Sequence, residues 1–288
     1  MSGPGKLGVA SSRRGTRGAP PAVVATDLDG TLWDSTLQIG PRTRAAVRAL
    51  AGAGVAVLVA TARRPRGARE LLEANGLSLP IVGLNGAMGR DAGGAAFHDV
   101  VFRAGDALAA FDAFARHGLS PTVYVGEPDV DVVLGPEPST HPDHIEYLRP
   151  VARLDPDLEE VVRSQPVYGL AVVGRPPAEL EPAVAALAAA GIAHDFAPEP
   201  LLPGWGVNAM PPGVSKWSGI EAFCAAAGAS PGAVLAVGDG TNDVAMLQRA
   251  ARPVVVAGSR AAARVPGAEV IAPPERDGWA DLASRLLG

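Results

Sequence analysis

Three short apolar runs, each next to a helical pattern, constrain the fold more than any other feature of the sequence. Runs of Val, Leu and Ala without alternation are typical of strands buried on both faces, as in a parallel sheet. The strand-like runs are AVVATD (22–27), VAVLVAT (55–61) and AVLAVGD (233–239). The neighbouring helical patterns lie at 41–54, 215–228 and 241–251. This alternation predicts an α/β domain with a doubly wound, Rossmann-like parallel sheet.

The ends of these helical patterns carry the expected residues. Pro41 opens the first, where its missing N–H costs nothing. Ser215 precedes the second as a good N-cap, and Gly228 follows it, as glycine often does after a helix. The patterns therefore predict helices with defined bounds.

The middle of the chain differs from its flanks. Strand-like stretches at 95–102, 122–134 and 167–174 alternate with helical stretches at 105–117 and 177–190, with Pro- and Gly-rich breaks between them. We expect an inserted α+β domain at 87–206, between two segments of a core domain at 21–86 and 207–288. Residues 1–20 are rich in Gly, Ser and Arg without a hydrophobic period, which predicts a disordered basic tail.

The bulk composition narrows the function classes. The chain of 288 residues is 48% hydrophobic and has a net charge of -5, which argues against a nucleic-acid binder. Its one cysteine, Cys224, cannot form an intrachain disulfide, which favours a reducing compartment. No apolar run approaches the roughly 20 residues of a membrane span, and no apolar segment follows Arg13 and Arg14 to make an export signal. We expect a cytoplasmic protein without membrane or nucleic-acid partners.

Four aspartates lie at or just beyond predicted strand ends: Asp27, Asp29, Asp239 and Asp243. Right-handed crossovers put the carboxyl ends of parallel strands on one edge, where ligands bind. Any one of these residues is explained as a turn residue, but four carboxylates at one edge cannot all stay ionised without a cation. Hard oxygen ligands favour Mg²⁺, so the sequence predicts a magnesium site.

Four ordered motifs then resemble a known family. DLDGT (27–31), VATAR (59–63), Lys216 and GDGTNDVAML (238–247) are similar to the motifs of the haloacid dehalogenase-like (HAD) phosphohydrolase superfamily. The resemblance covers roughly residues 22–90 and 207–288. The insert lies between the second and third motifs, which resembles the C2-type cap of the Cof-like, type IIB sugar phosphatases. The resemblance therefore implies a HAD core with a cap domain.

The resemblance implies a role for each acidic residue. Asp27 would be the nucleophile that forms an aspartyl-phosphate, and Asp29 the general acid and base. Mg²⁺ would be held by Asp27, by the backbone carbonyl of Asp29, by Asp239, and by Asp243 directly or through water.

The resemblance also implies the groups that bind the phosphate. Thr61 would hydrogen-bond the phosphoryl oxygens, and Lys216 would bring positive charge at a helix N-terminus. Asn242 would orient Lys216 or the phosphate, and Asn85 belongs to the loop at the cap junction. Arg63 is either a substrate clamp or a surface charge.

The implied activity is Mg²⁺-dependent hydrolysis of a small phosphorylated metabolite, such as a sugar phosphate or sugar-acid phosphate. Two alternatives stay open: a phosphomutase of the same fold, and a non-catalytic regulator that binds a phosphometabolite. The sequence departs from the family pattern at Ala62, at Trp217 and at 256–263, which weakens any transfer of substrate identity. Neither the substrate nor the oligomeric state follows from the sequence.

Overall fold

The structure is a computed structural model that describes residues 21–127 and 129–288. The predicted tail at 1–20 lies outside the described residues. The chain forms two compact units. The first, called the core unit, runs up to Asp99 and resumes at Ser215; the second, called the inserted unit, is Val100–Val214.

The helices and strands follow one another along the chain in three stretches. The first stretch of the core unit contains β1 Val23–Thr26, α1 Pro41–Gly52, β2 Ala56–Ala60, α2 Pro65–Ala74, β3 Ile81–Gly83, β4 Met88–Arg90 and β5 Ala96–Asp99. The inserted unit contains α3 Ala104–Ala115, β6 Thr122–Glu127, β7 Val130–Leu134, α4 Pro142–Leu148, β8 Ala152–Leu154, α5 Leu158–Ser164, β9 Val167–Arg175, α6 Pro177–Ala189, β10 Ala193–Pro198 and β11 Trp205–Met210. The second stretch of the core unit contains α7 Lys216–Ala227, β12 Val234–Gly238, α8 Val244–Arg249, β13 Arg252–Val256, β14 Glu269–Ile271 and α9 Gly278–Leu287.

The core unit is built on a mostly parallel sheet. Among the described residues its strand order is β14-β13-β12-β1-β2-β3-β4-β5, and pairing is parallel from β14 to β3. Strand β1 lies centrally, between β12 and β2. This topology confirms the predicted doubly wound α/β core.

Both faces of this sheet are covered, which explains the continuous apolar runs. Alternate residues of a strand point to opposite faces. Val24 of β1 packs in the cluster that contains α1, α2 and α9, whereas Val23 and Ala25 pack in the cluster that contains α7 and α8. Because neither face meets water, no polar residue interrupts β1 or β2 until the strand ends.

The inserted unit has a sheet and a core of its own. Its strand order in the described residues is β10-β11-β9-β6-β7-β8, antiparallel except between β7 and β8. Helices α3, α5 and α6 pack on one face, where Phe114, Val162 and Leu180 meet strand residues such as Val123 and Leu170. The unit is therefore an α+β fold.

The unit boundaries differ from the expected insert at 87–206. Strands β4 and β5 extend the core sheet by antiparallel pairing. Phe97 of β5 also packs edge-on against Phe223 of α7, with 5.6 Å between the ring centres. Strand β11 pairs with β9 and β10 in the other sheet, so the residues from 207 to 214 belong to the inserted unit rather than to the core. Strands β4 and β5 are short, and the pairing of β11 with β9 joins residues 30 or more positions apart, so the sequence pattern did not reveal these boundaries.

Across the described ranges, no helix combines the length and apolarity that crossing a membrane requires.

Candidate active site

Three neighbouring strands end beside one another and place three of the predicted residues at one edge. Thr26 of β1 lies level with Val237 of β12 and with Val59 of β2. Asp27 follows β1 directly, Thr61 follows β2 and Asp239 follows β12. Parallel pairing thus brings together residues more than 200 positions apart, as the strand-end argument predicts.

Lys216 joins this edge from the first residue of α7. The hydroxyl of Ser215 accepts the backbone N–H of Ser218, which caps the helix and fixes its start at Lys216. The ammonium group donates to Oδ1 of Asp27 at 2.6 Å and to Oδ1 of Asp243 at 2.7 Å. The side chain of Lys216 is 1% exposed, so a surface lysine is excluded.

Asp243 holds the loop after β12 as well as the lysine. Its Oδ2 accepts the backbone N–H groups of Asp239 at 3.0 Å and Gly240 at 2.8 Å. The 3₁₀ turn Thr241–Asp243 brings the carboxylate back over the strand end. Both carboxylate oxygens of Asp243 are therefore bonded within the protein, and Oδ1, which has a single donor, keeps a lone pair that a metal could use.

Asp27 keeps one carboxylate oxygen without a donor. Its backbone N–H bonds to Val237, and its Oδ1 accepts from Lys216. Within the described residues Oδ2 accepts no hydrogen bond. The residue is 6% exposed, so this oxygen lies in a nearly dry site.

Gly30 lets Asp239 approach Asp27. Gly30 has φ +75°, and a Cβ at this position would lie 2.9 Å from Oδ2 of Asp239. The other oxygen, Oδ1 of Asp239, accepts the hydroxyl of Thr31 at 3.0 Å. Both the backbone conformation and the space thus require glycine in DLDGT.

The electrostatics of this cluster favour a cation. Burial, followed by Asp243, raises the pKa of Asp27 well above its ordinary value, although Lys216 lowers it. Burial and Asp243 likewise raise the pKa of Asp239 to about 6. Burial opposes the charge of Lys216, yet Asp243 and Asp27 raise its pKa above the usual value. The ammonium group of Lys216 therefore lies among three acidic side chains, and its one positive charge does not balance them.

The residues present fit a magnesium ion. Asp27, Asp239 and Asp243 each offer an oxygen within 4.8 Å of the others. The donors are all hard carboxylate oxygens, with no thiolate or imidazole in the group, which suits Mg²⁺ rather than zinc. A divalent cation would also offset the charge that one lysine leaves unbalanced.

Asp29 lies outside this group of three and has partners of its own. Arg63 donates to it through Nε at 2.8 Å and through its terminal nitrogen at 2.7 Å, and the indole Nε1 of Trp33 donates to it at 3.0 Å. The side chains of Arg63 and Asp29 are 15% and 17% exposed. Of the two interpretations left open for Arg63, a surface charge is wrong; it is paired with Asp29.

The remaining predicted residues, Thr61, Asn85 and Asn242, also belong to the core unit. Thr61 is buried, and its hydroxyl accepts the backbone N–H of Arg63 at 3.1 Å, which leaves its own proton free to donate. The side-chain amide of Asn242 donates to Oδ1 of Asn85 at 3.0 Å. In the described part of the chain no hydrogen bond joins Asn242 to Lys216, and the predicted role of Asn242 toward the phosphate stays a prediction.

The loop that carries Asn85 is strained and closely packed. Leu84 and Asn85 have φ of 48° and 53°, in the left-handed region that non-glycine residues rarely adopt. A Cβ on Gly86 would lie 2.0 Å from the carbonyl oxygen of Ser215. The loop is thus packed closely against the start of α7, beside Lys216. Backbone strain such as that at Leu84 and Asn85 is often found at functional sites.

Two residues of the site were missed in the sequence. Thr31 was quoted only as part of DLDGT, and Trp33 was given no role. The signal that could have found Trp33 is a polar-tipped aromatic residue four positions after Asp29, because a buried indole N–H needs an acceptor.

Comparisons with known proteins agree with this geometry. The chain matches the family of haloacid dehalogenase-like hydrolases over residues 24–166 and 202–281. No curated protein matches it. Among solved structures, a haloacid dehalogenase-like hydrolase from B. subtilis is 19% identical, with a TM-score of 0.75 over 91% of this chain and 99% of that one.

Two similar structures belong to studied phosphatases. BT1666 from Bacteroides thetaiotaomicron, a phosphatase of the same superfamily, is 19% identical, with a TM-score of 0.73 over 97% of this chain and 99% of that one. The subclass IIB sugar phosphatase BT4131 is 19% identical, with a TM-score of 0.71 over 91% of this chain and 97% of that one. At this identity the likeness establishes the shared fold. The extent of the family match confirms the resemblance inferred from the four motifs: the chain belongs to the haloacid dehalogenase-like hydrolase family.

Proposed function

We propose that the protein is a Mg²⁺-dependent phosphomonoesterase that hydrolyses a small phosphorylated metabolite through an aspartyl-phosphate on Asp27. The observation that carries the proposal is the state of the Asp27 carboxylate. One oxygen is held by Lys216 at 2.6 Å, and in the described residues the other has no hydrogen-bond donor. A carboxylate held in this way, at a strand end and nearly buried, can present a single oxygen to an electrophile.

The first step transfers the phosphoryl group to the protein. The free oxygen of Asp27 attacks phosphorus while the bond from phosphorus to the leaving oxygen breaks. The proton of Asp29 passes to that leaving oxygen, so the product departs as an alcohol. Lys216 and the hydroxyl of Thr61 supply positive charge and a hydrogen bond to the phosphoryl oxygens.

The second step returns the enzyme to its starting state. A water molecule gives a proton to Asp29 and attacks phosphorus, and the bond between phosphorus and Asp27 breaks. Inorganic phosphate leaves, and Asp27 is again a carboxylate.

Mg²⁺ would be held by Asp27, Asp239 and the backbone carbonyl of Asp29. Asp243 would support these ligands through its hydrogen bonds to Lys216 and to the loop after β12. When bound, the ion neutralises the repulsion between a carboxylate and a phosphate and aligns the two for in-line attack. The chain's part is to keep the three carboxylates close together, which Gly30 permits at Asp239.

We propose a sugar phosphate or sugar-acid phosphate as the substrate class and assign substrate selection to the inserted unit. The residues of the candidate site act on the phosphoryl group, which all phosphomonoesters share, so discrimination must come from elsewhere. A likeness in fold to the sugar phosphatase BT4131 supports the class. The inserted unit has its own core and is large enough to act as a lid that excludes water.

The test is a phosphatase screen of the full chain with Mg²⁺ against sugar phosphates, phosphoglycerates and nucleotides. We expect release of phosphate from a sugar phosphate or sugar-acid phosphate, and no release by Asp27→Asn, a nearly isosteric change that leaves packing intact. Turnover in ¹⁸O-labelled water separates hydrolysis from a mutase, because only hydrolysis places the label in free phosphate. Activity of Asp27→Asn above a few per cent of the wild type would rule out this nucleophile.

The role of the inserted unit is tested by replacing residues 100–214 with a short Gly/Ser linker and checking the fold by circular dichroism. We expect hydrolysis of p-nitrophenyl phosphate to survive in part and the preference for the sugar phosphate to collapse. A folded core that keeps its full preference would place specificity in the core unit.

A further inference from the structure

Trp33 lies in the hydrophobic core but turns its polar edge to the candidate site. Its side chain is 0% exposed and packs in the cluster that contains α1 and α9. The backbone N–H of Gly30 donates to the carbonyl oxygen of Trp33 at 3.1 Å, which closes a tight loop and sets Trp33 opposite Asp29. The indole Nε1 then reaches Oδ1 of Asp29 at 3.0 Å.

The donors on Asp29 are distributed unevenly. Oδ1 accepts from Trp33 and from the terminal nitrogen of Arg63, whereas Oδ2 accepts only from Nε of Arg63 within the described residues. A carboxylate has about four lone-pair sites, two on each oxygen. Oδ1 is therefore saturated, and Oδ2 keeps the one site through which a proton can be exchanged.

Trp33 also supports the arginine. The guanidinium carbon of Arg63 lies 5.3 Å from the centre of the Trp33 ring, within the range of a cation–π contact. One rigid, buried ring thus touches Asp29 through its N–H and Arg63 through its face. Loss of the N–H alone would leave an open acceptor site on Oδ1 as well as on Oδ2, while Arg63 still held the carboxylate and most of the ring contact remained.

We propose that Trp33 is a positioning residue for proton transfer by Asp29: it saturates Oδ1 and so presents Oδ2 to the leaving group. The inference rests on the proposed function, since it needs Asp29 to be the general acid. A purely structural Trp33 would fill the core and donate to the nearest acceptor with no effect on proton transfer.

The two cases differ in how activity depends on the leaving group. A nitrophenolate leaves well without a proton, whereas phenolate and p-methoxyphenolate depend more on a general acid. Because the three aryl phosphates have nearly the same shape, specificity does not confound the comparison. The value of kcat/KM reports the first step alone, before water attacks.

The experiment measures kcat/KM of the full chain with Mg²⁺ on p-nitrophenyl, phenyl and p-methoxyphenyl phosphate. For Trp33→Phe we expect a fall of about 10-fold on phenyl phosphate and of less than about 2-fold on p-nitrophenyl phosphate, part of the roughly 100- to 10,000-fold that a positioned acid contributes. Asp29→Asn should show the same trend with a larger amplitude.

The matched control is Trp279→Phe. Trp279 lies in the same core cluster, is 1% exposed, and donates its Nε1 to Thr26 at 3.1 Å rather than to Asp29. It should change all three substrates by one common factor. If thermal melting shows that Trp33→Phe is unfolded, benzothienylalanine at position 33 keeps the shape of indole, lacks the N–H, and should give the same leaving-group trend.

The outcomes separate this inference from the proposed function. Equal losses on all three substrates, or no loss, in a folded Trp33 variant would overturn the positioning role while leaving the phosphatase proposal intact. If the wild type hydrolyses none of the three esters, or Asp27→Asn still hydrolyses them, the proposed function fails and this inference fails with it.

Discussion

Replacing Asp239 with Asn removes one negative charge from the buried acidic cluster. We expect the metal-free protein to become more stable and the enzyme to become inactive. Burial and the neighbouring Asp243 raise the pKa of Asp239 from 3.8 to about 6. Asn is close in shape and keeps an acceptor oxygen for the hydroxyl of Thr31, which lies 3.0 Å from the carboxylate. The substitution therefore removes charge and little else.

The size of the effect follows from the pKa. Because the folded pKa is raised, the folded protein retains a proton that the unfolded chain releases, and stability falls as pH rises from about 4 to about 6. At neutral pH Asp239 is ionised in the folded protein as well, and the full loss of stability is reached. With about 1.4 kcal/mol for each pH unit between 3.8 and about 6, it amounts to about 3 kcal/mol. Asn does not carry this cost.

Urea unfolding in EDTA measures the difference. We expect Asp239→Asn to gain about 3 kcal/mol at pH 7 and about half of that at pH 5. Mg²⁺ should stabilise the wild type and not the variant. Asp34→Asn is the control, because hydrogen bonds from Thr36 lower the pKa of Asp34 and the same change there should not stabilise. A variant at Asp239 that is no more stable than the wild type in EDTA at pH 7 would refute the reasoning.

Three further changes probe the same cluster. Lys216→Met leaves Asp27 and Asp243 buried without their ammonium partner and should cost about 3–5 kcal/mol in urea unfolding; a loss below about 1 kcal/mol would contradict the ion-pair role. Chelation should abolish activity, Mg²⁺ should restore it and Ca²⁺ should not, since Ca²⁺ accepts more ligands in looser geometry; full activity in EDTA or in Ca²⁺ argues against the mechanism. Gly30→Ala forces a Cβ to within 2.9 Å of Asp239 and should raise the Mg²⁺ concentration needed for half-maximal activity; an unchanged midpoint would show that the contact is unimportant.

The sequence predicted the core where local pattern and burial agree. Strands β1, β2 and β12 were found because helices cover both of their faces, which makes the apolar runs continuous. Helix α2 was missed: Gly67 interrupts its sequence and weakens the helical pattern, although Ala68 and Leu72 are buried on its inner face. The place of β5 in the core sheet depends on its pairing with β4 and on Phe223, which no local pattern reveals.

The residues of the candidate site likewise fall into those that the sequence predicted and those that it did not. Asp27, Asp239 and Lys216 meet because strand ends and a helix start carry them to one edge, and that follows from topology. The partners of Asp29 could not be predicted, because they depend on side-chain directions: Arg63 lies 34 positions away and could equally have faced solvent or the phosphate. Trp33 was overlooked because an aromatic residue in an apolar segment is usually core, and here it is both core and a donor.

The central claim, that Asp27 carries the phosphoryl group, is tested most directly by trapping that group. The full chain is mixed with Mg²⁺ and a sugar phosphate that it turns over, quenched in acid during turnover and reduced with borohydride, which converts an acyl phosphate to homoserine and leaves free carboxylates unchanged. Peptide mass spectrometry then locates the modified residue. We expect homoserine at position 27, only when substrate is present and not in Asp27→Asn. Homoserine at position 29, 239 or 243, or none at all during steady turnover, would contradict the account.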